Sequence, residues 1–273
     1  MNWKNLVAGA VVVVFSAGVS AQTVTKNVVY TKDAAGVQRG DLYQPVGAGP
    51  FPAVVFLHGG AWRSGSKSGF KKMGMDLAAK GYVGFSVNYN LKAGSFPRSW
   101  EEARAAVRFV REHAAEYHVD PNRVVIAGTS AGGQLAALVA LAPQGPKGRK
   151  NGDVVTVQGA VILNGVFDLC YPVGVIARYM GGQCAEKKDA YLDASPIHHV
   201  HAGAPSFFVG HGTKDRVVPY AAAEKFTDEL KKNGVPLTSF VAEGGPHMYW
   251  MKGKYYARNL AAVEAFLGSV VGK

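Results

Sequence analysis

Hydrophobic and polar positions along the chain follow two periods, and the switching between them gives the expected order of elements. Val24 to Tyr30 and Gln38 to Tyr43 alternate on either side of Asp33-Ala34-Ala35-Gly36, which predicts an antiparallel edge hairpin. After Pro50 and Pro52, Ala53-Val54-Val55-Phe56-Leu57 is apolar throughout, as a strand buried on both faces should be. Phe70 to Lys80 reads as a helix closed by Gly81, and Tyr82 to Asn88 as the next strand. Trp100 to Glu116 has the clearest helical period. Ala103, Ala106, Val107, Val110 and Ala114 share one face, with Glu101, Arg104, Arg108 and Arg111 elsewhere.

Asp120-Pro121-Asn122 then turns the chain into the β-branched run Val124-Val125-Ile126, and Gly133 to Leu141 reads as the helix that follows. Val161-Ile162-Leu163, Phe207-Phe208-Val209 and Leu237 to Val241 are further strands, and Ala221 to Lys232 and Tyr255 to Val270 further helices. Residues 169–196 lack a clear period and read as an irregular, cap-like insertion. Strands alternating with helices predict an α/β fold: a doubly wound, mostly parallel sheet flanked by helices, with the N-terminal hairpin at its edge. In such sheets the functional groups gather beyond the C-terminal strand ends.

Composition narrows this picture. A chain of 273 residues, 48% hydrophobic, suits one large domain, expected over residues 22–273. Residues 1–21 read as a secretory signal: Lys4 is the basic start, Leu6 to Ala17 the apolar core, and Val19-Ser20-Ala21 the small-residue cleavage site. That apolar run is short for a membrane span, so no stable membrane insertion is expected, and the mature protein is expected to be secreted or periplasmic. Export bears on Cys170 and Cys184, the only cysteines. In an oxidising compartment a pair so close in sequence predicts a disulfide; two buried free thiols are the alternative, and a zinc site would need two histidine partners. Formal net charge is +11, but the basic residues are scattered without interleaved aromatics, which argues against a nucleic-acid partner. Nothing in the pattern speaks to oligomeric state.

Candidate chemistry centres on Gly128-Thr129-Ser130-Ala131-Gly132. A glycine two residues to either side of a serine is what a sharp strand-to-helix turn needs, and the turn holds the hydroxyl above a helix N-terminus. A serine needs a base, and the base needs a carboxylate to fix its tautomer. Of the eight histidines, His247 lies in a glycine-rich loop after the last strand and is the candidate base. His58 and His211 read as structural, and His198, His199 and His201 as a surface turn. Asp215, after one strand, is the candidate acid, with Asp168 as its competitor; the Asp215 loop follows the strand next in sequence to the one before His247. An oxyanion site is expected from the backbone N–H of Ala131 and from the loop His58-Gly59-Gly60-Ala61-Trp62. Trp62, Met248 and Trp250 are candidate substrate-binding residues, with Phe96, Trp100 and Tyr171 as further aromatics that could line a cleft.

With these pieces in place the chain resembles the α/β-hydrolase superfamily, and within it the hormone-sensitive-lipase-like and bifunctional feruloyl/acetyl-xylan-esterase-like serine esterases. The motifs are His58-Gly59-Gly60-Ala61-Trp62, Gly128-Thr129-Ser130-Ala131-Gly132-Gly133, His211-Gly212-Thr213-Lys214-Asp215 and the loop bearing His247. Two positions depart from the usual pattern: Ala61 replaces a loop glycine, and Tyr89-Asn90-Leu91 replaces Tyr-Arg-Leu. The resemblance implies a Ser130–His247–Asp215 triad, oxyanion donors at Gly60, Ala61 and Ala131, and no cofactor. The expected substrate is a short-chain ester or an acylated polysaccharide of acetyl or feruloyl type. A formamidase-like amidase and a non-catalytic hydrolase-fold binding protein are the rival readings.

Overall fold

The apolar runs form the centre of one eight-stranded sheet. In this computed structural model residues 22–34, 36–145, 154–171 and 174–272 are described; the expected signal at 1–21 lies outside them. The strands are β1 (Thr23–Asp33), β2 (Gly36–Gln44), β3 (Phe51–Leu57), β4 (Val83–Val87), β5 (Val119–Thr129), β6 (Gly159–Leu163), β7 (Ser206–Gly212) and β8 (Leu237–Ala242). Their spatial order is β1-β2-β4-β3-β5-β6-β7-β8. The β1–β2 and β2–β4 pairings are antiparallel and the rest parallel, so the hairpin is an edge, as its alternation predicts.

Successive side chains of the inner strands enter opposite cores. Ala53, Val55 and Leu57 belong to the core that α2 (Arg98–Glu112), α3 (Ala131–Leu141) and α6 (Tyr220–Lys232) cover, while Val54 and Phe56 belong to the one that α1 (Lys71–Ala78) and α7 (Gly253–Val271) cover. Burial on both faces is why these strands read as continuous apolar runs. Helix α2 starts two residues earlier than its period suggests and ends at Glu112, where His113 closes it. Asp120-Pro121-Asn122 does not precede β5 but lies within its span as an irregularity, between the pairs Phe51–Val119 and Ala53–Val124.

The expectation for the insertion is also corrected. Residues 169–196 are not irregular throughout: the described residues there hold two short helices, α4 (Gly174–Met180) and α5 (Lys188–Ala194). Cys170 and Cys184 are joined as a disulfide around α4. Seven residues are about two turns, too short for a helical period to rise above the noise of the sequence.

Candidate active site

Strand β5 and helix α3 meet at Ser130 with no room for side chains on its flanks. A Cβ on Gly128 would overlap the carbonyl oxygen of Gly132, and one on Gly132 would overlap that of Leu57. The turn forces Ser130 to φ 54° and ψ −120°, a costly conformation for a residue with a Cβ. Its N–H donates to Leu163 O at 3.0 Å, which fixes the elbow to β6. The hydroxyl therefore stands at the N-terminus of an α3 whose every residue is buried.

Ser130, His247 and Asp215 come together in one hydrogen-bonded chain. His247 Nε2 lies 3.1 Å from Ser130 Oγ, and Nδ1 lies 2.7 Å from Asp215 Oδ2. A carboxylate can only accept, so the ring carries its proton on Nδ1 and leaves Nε2 to take one from the hydroxyl. The two loops are laced by main-chain bonds. Thr213 N–H donates to Ala242 O at 3.1 Å, and Lys214 N–H to Gly245 O at 2.9 Å.

Asp215 is held from every side. Oδ1 accepts the N–H groups of Val217 and Val218 at 2.8 and 2.9 Å, and Oδ2 also accepts Asn164 Nδ2 at 2.8 Å. His211 Nε2 is 3.3 Å from Oδ2 and 2.9 Å from Val218 O. Burial alone would push this carboxyl up; donation from His211, His247, Val218 and Val217 outweighs it and holds the group well below the usual carboxylate range. Asn164 was not anticipated. Its signal is an asparagine at a strand end, where φ is 50°. Asp168 is elsewhere, accepting Cys170 N–H at 3.1 Å with Lys225 3.8 Å away.

The loop after β3 has φ 128° at Gly60 and 52° at both Ala61 and Trp62. Among the described residues the N–H groups of Gly60 and Ala61 make no intramolecular hydrogen bond, and that of Ala131 opens α3, where helical N–H groups lack partners. His58 supports the loop: its ring stacks on Tyr89 at 4.4 Å, and Tyr89 Oη–H donates to His58 O at 2.8 Å. Burial pushes the His58 imidazole down, which favours its neutral form. Such an arrangement can accept a proton from Ser130 and hold negative charge on an oxygen between the two sets of N–H groups.

Ser130 and His247 open on a cavity of about 520 Å³. Met248 and Trp250 line it, as do Phe70, Val217, Met251, Arg63 and the serines of residues 64–68. Trp250 is largely buried, and its indole donates to Thr129 Oγ1 at 3.0 Å. Trp62 does not line the cavity. Its ring is buried against Tyr179 of α4, so its expected substrate contact is replaced by a packing one. Phe96 and Trp100 stack on each other away from the cavity, and Tyr171 is exposed outside it. Among the described residues no cluster of His, Cys, Asp or Glu could hold a metal ion.

Comparison with known proteins gives the same direction at three levels. The family model described as BD-FAE matches residues 41–230. The "Probable carboxylic ester hydrolase LipM" of Mycobacterium tuberculosis is 34% identical over 238 residues, covering 81% of this chain and 55% of that protein. The "Probable isoprenylcysteine alpha-carbonyl methylesterase ICMEL1" of Arabidopsis thaliana is 30% identical over 227 residues, covering 76% and 48%. The chain thus spans about half the length of these curated relatives. Among solved structures, the apo form of Thermogutta terrifontis esterase 2 matches with a TM-score of 0.78 and 28% identity, covering 92% of this chain and 95% of that one.

Proposed function

The chain belongs to the BD-FAE family, and from that premise we propose that it is a serine carboxylesterase acting through Ser130, His247 and Asp215. Ser130 Oγ adds to the ester carbonyl carbon while its proton passes to His247 Nε2. The carbonyl electron pair moves onto oxygen, between the N–H groups of Gly60, Ala61 and Ala131. The intermediate collapses, the C–O bond to the alcohol breaks, and the alcohol leaves with the proton from His247. Water, deprotonated by the same ring, then releases the acid from Ser130. Asp215 keeps the ring in the right tautomer and stabilises the imidazolium. The scheme calls for neither a metal nor an organic cofactor.

The observation that carries this reading is the unbroken line of contacts from Ser130 Oγ through His247 to Asp215, at 3.1 and 2.7 Å. Relatives named as ester hydrolases support the bond class. For the substrate, the reading is a short acyl ester, or an acetyl or feruloyl group on a plant polysaccharide. The insertion is short, with two helices of seven residues each, which favours a small acyl group over a long chain in a deep pocket. Thermogutta terrifontis esterase 2 has been solved with propionate and with butyrate bound. The domain is residues 22–273 with 169–196 as its cap, and the protein is exported after loss of residues 1–21. The disulfide is compatible with export, and no described helix is long and apolar enough to cross a membrane.

Purified protein and Ser130→Ala, assayed on p-nitrophenyl esters of increasing chain length, acetylated xylan and methyl ferulate, test this reading. The expected outcome is turnover that falls beyond short chains and is lost with Ser130→Ala by at least about 10³-fold. Retained turnover in the variant defeats the assignment, and preference for long chains defeats the substrate class.

A further inference from the structure

The helix that supplies the Ala131 N–H and the loop that supplies those of Gly60 and Ala61 come from different parts of the chain. Both must address the same oxygen. One buried side-chain hydrogen bond joins them. The indole Nε1–H of Trp62 donates to Gln134 Oε1 at 3.0 Å, and both residues are closed to solvent. Gln134 lies one turn into α3, where its N–H donates to Ser130 O at 3.1 Å. Its Nε2 donates to Ala194 O, at the end of α5, at 2.7 Å. These partners fix the amide's orientation, because an indole N–H can only donate and a carbonyl can only accept.

Trp62 is gripped from the cap as well. Its ring stacks on Tyr179 with centroids 4.6 Å apart and 10° between planes, and its carbonyl accepts Arg178 Nη1 at 3.4 Å. Tyr179 Oη is in turn 2.9 Å from Ser99 Oγ. Ala61 and Trp62 both hold φ at 52°, a backbone that persists only where its surroundings over-determine it. The side-chain hydrogen bond and the ring stacking that hold Trp62 lead to α3 and to α4.

Building on the esterase reading, we infer that Trp62 and Gln134 are positioning residues for the oxyanion donors. Their hydrogen bond sets the loop donors against the Ala131 donor, and Tyr179 brings the cap into the same setting. The step served is the addition of Ser130 Oγ, when the carbonyl electron pair moves onto oxygen. Displaced donors raise the barrier to that step more than they weaken binding of the uncharged ester.

Trp62→Phe keeps a ring for Tyr179 but removes the donor, leaving Gln134 Oε1 buried and unpaired. The double variant Trp62→Phe with Gln134→Leu removes the orphaned acceptor as well, while giving up the Gln134 Nε2 donor to Ala194 O. Each is assayed for kcat and KM on p-nitrophenyl acetate, for inhibition by a trifluoromethyl ketone that mimics the tetrahedral intermediate, and for Tm. Trp62→Phe is expected to lower kcat about 10- to 100-fold, to change KM by less than about threefold, and to weaken the ketone by about the same factor as kcat/KM. The double variant is expected to keep kcat as low as Trp62→Phe does, because the bond between the two residues is already absent there. Recovery of kcat in the double variant overturns the inference, and so does Trp62→Phe with lowered Tm but unchanged kcat and ketone affinity. If Trp62→Phe alone does not fold, kcat of the double variant decides the matter either way. Wild-type protein without ester turnover defeats the esterase reading and this inference with it; wild-type turnover with unaffected variants defeats this inference alone.

Discussion

The two halves of the candidate site are held by different means. The Asp215 and His247 loops extend neighbouring parallel strands, β7 and β8, and are laced by bonds between main-chain groups of Thr213, Lys214, Ala242 and Gly245. The Gly60–Trp62 loop extends β3 but is steadied by side chains: the His58 ring on Tyr89, the Trp62 indole on Gln134, and Tyr179 from the cap. One half takes its geometry from the sheet, the other from what packs against it. Substitutions in α4 should therefore reach the N–H groups of Gly60 and Ala61 and leave the His247–Asp215 pair in place.

The largest effect should come from breaking the half held by the sheet. Asp215→Asn keeps the shape but lets the ring adopt the wrong tautomer, and kcat on p-nitrophenyl acetate is expected to fall about 10⁴-fold. A fall of less than about tenfold would show that the ring is oriented by something else. A smaller effect should come from the cap. Replacing Cys170 and Cys184 with serine frees a loop whose ends are 14 positions apart, and denaturant unfolding should register a loss of about 3 kcal/mol. In that variant kcat should drop only a few-fold, because the Trp62–Gln134 bond remains. A collapse of kcat to the level of Asp215→Asn would erase the contrast between the halves.

The smallest effect separates the halves by pH. Both His58 and Asp215 have pKa values lowered by folding, so each contributes stability above its unfolded pKa and loses it as pH falls through the folded one. For His58, on the cap-dependent half, the contribution is complete above about pH 6.5 and declines on acidification below it. For Asp215 it is complete above about pH 4, and the decline lies in strong acid. Tm measured from pH 8 to pH 4 should start to fall near pH 6.5 in the wild type. The slope between about pH 6.5 and pH 5 should flatten in His58→Asn; equal slopes would remove His58 from the account.

The same division governs what could be read in advance. Gly128, Ser130 and Gly132 announce the elbow because the close approach of two backbones allows nothing larger. The Asp215 loop could be set beside the His247 loop from strand order alone. Gln134 carried a signal that went unused: it is the only polar side chain in Ala131–Leu141, a helix otherwise built of apolar residues and glycine. Trp62 carried none. An indole beside a glycine-rich loop is equally suited to a cavity wall and to a strut, and only the position of α4 decides between them. The cap helices themselves, at seven residues each, are too short to show a period.

What the sequence determined by itself is whatever follows from local rules: strands that are apolar on both faces, glycines where backbones touch, and reactive side chains just past strand ends. Only the tertiary structure decided which buried polar groups meet, placing Asn164 and His211 on Asp215 and Gln134 on Trp62. The physical reason is that a parallel sheet carries its order from strand to strand through repeating main-chain bonds. A side-chain contact between distant segments depends on the whole path of the chain between them.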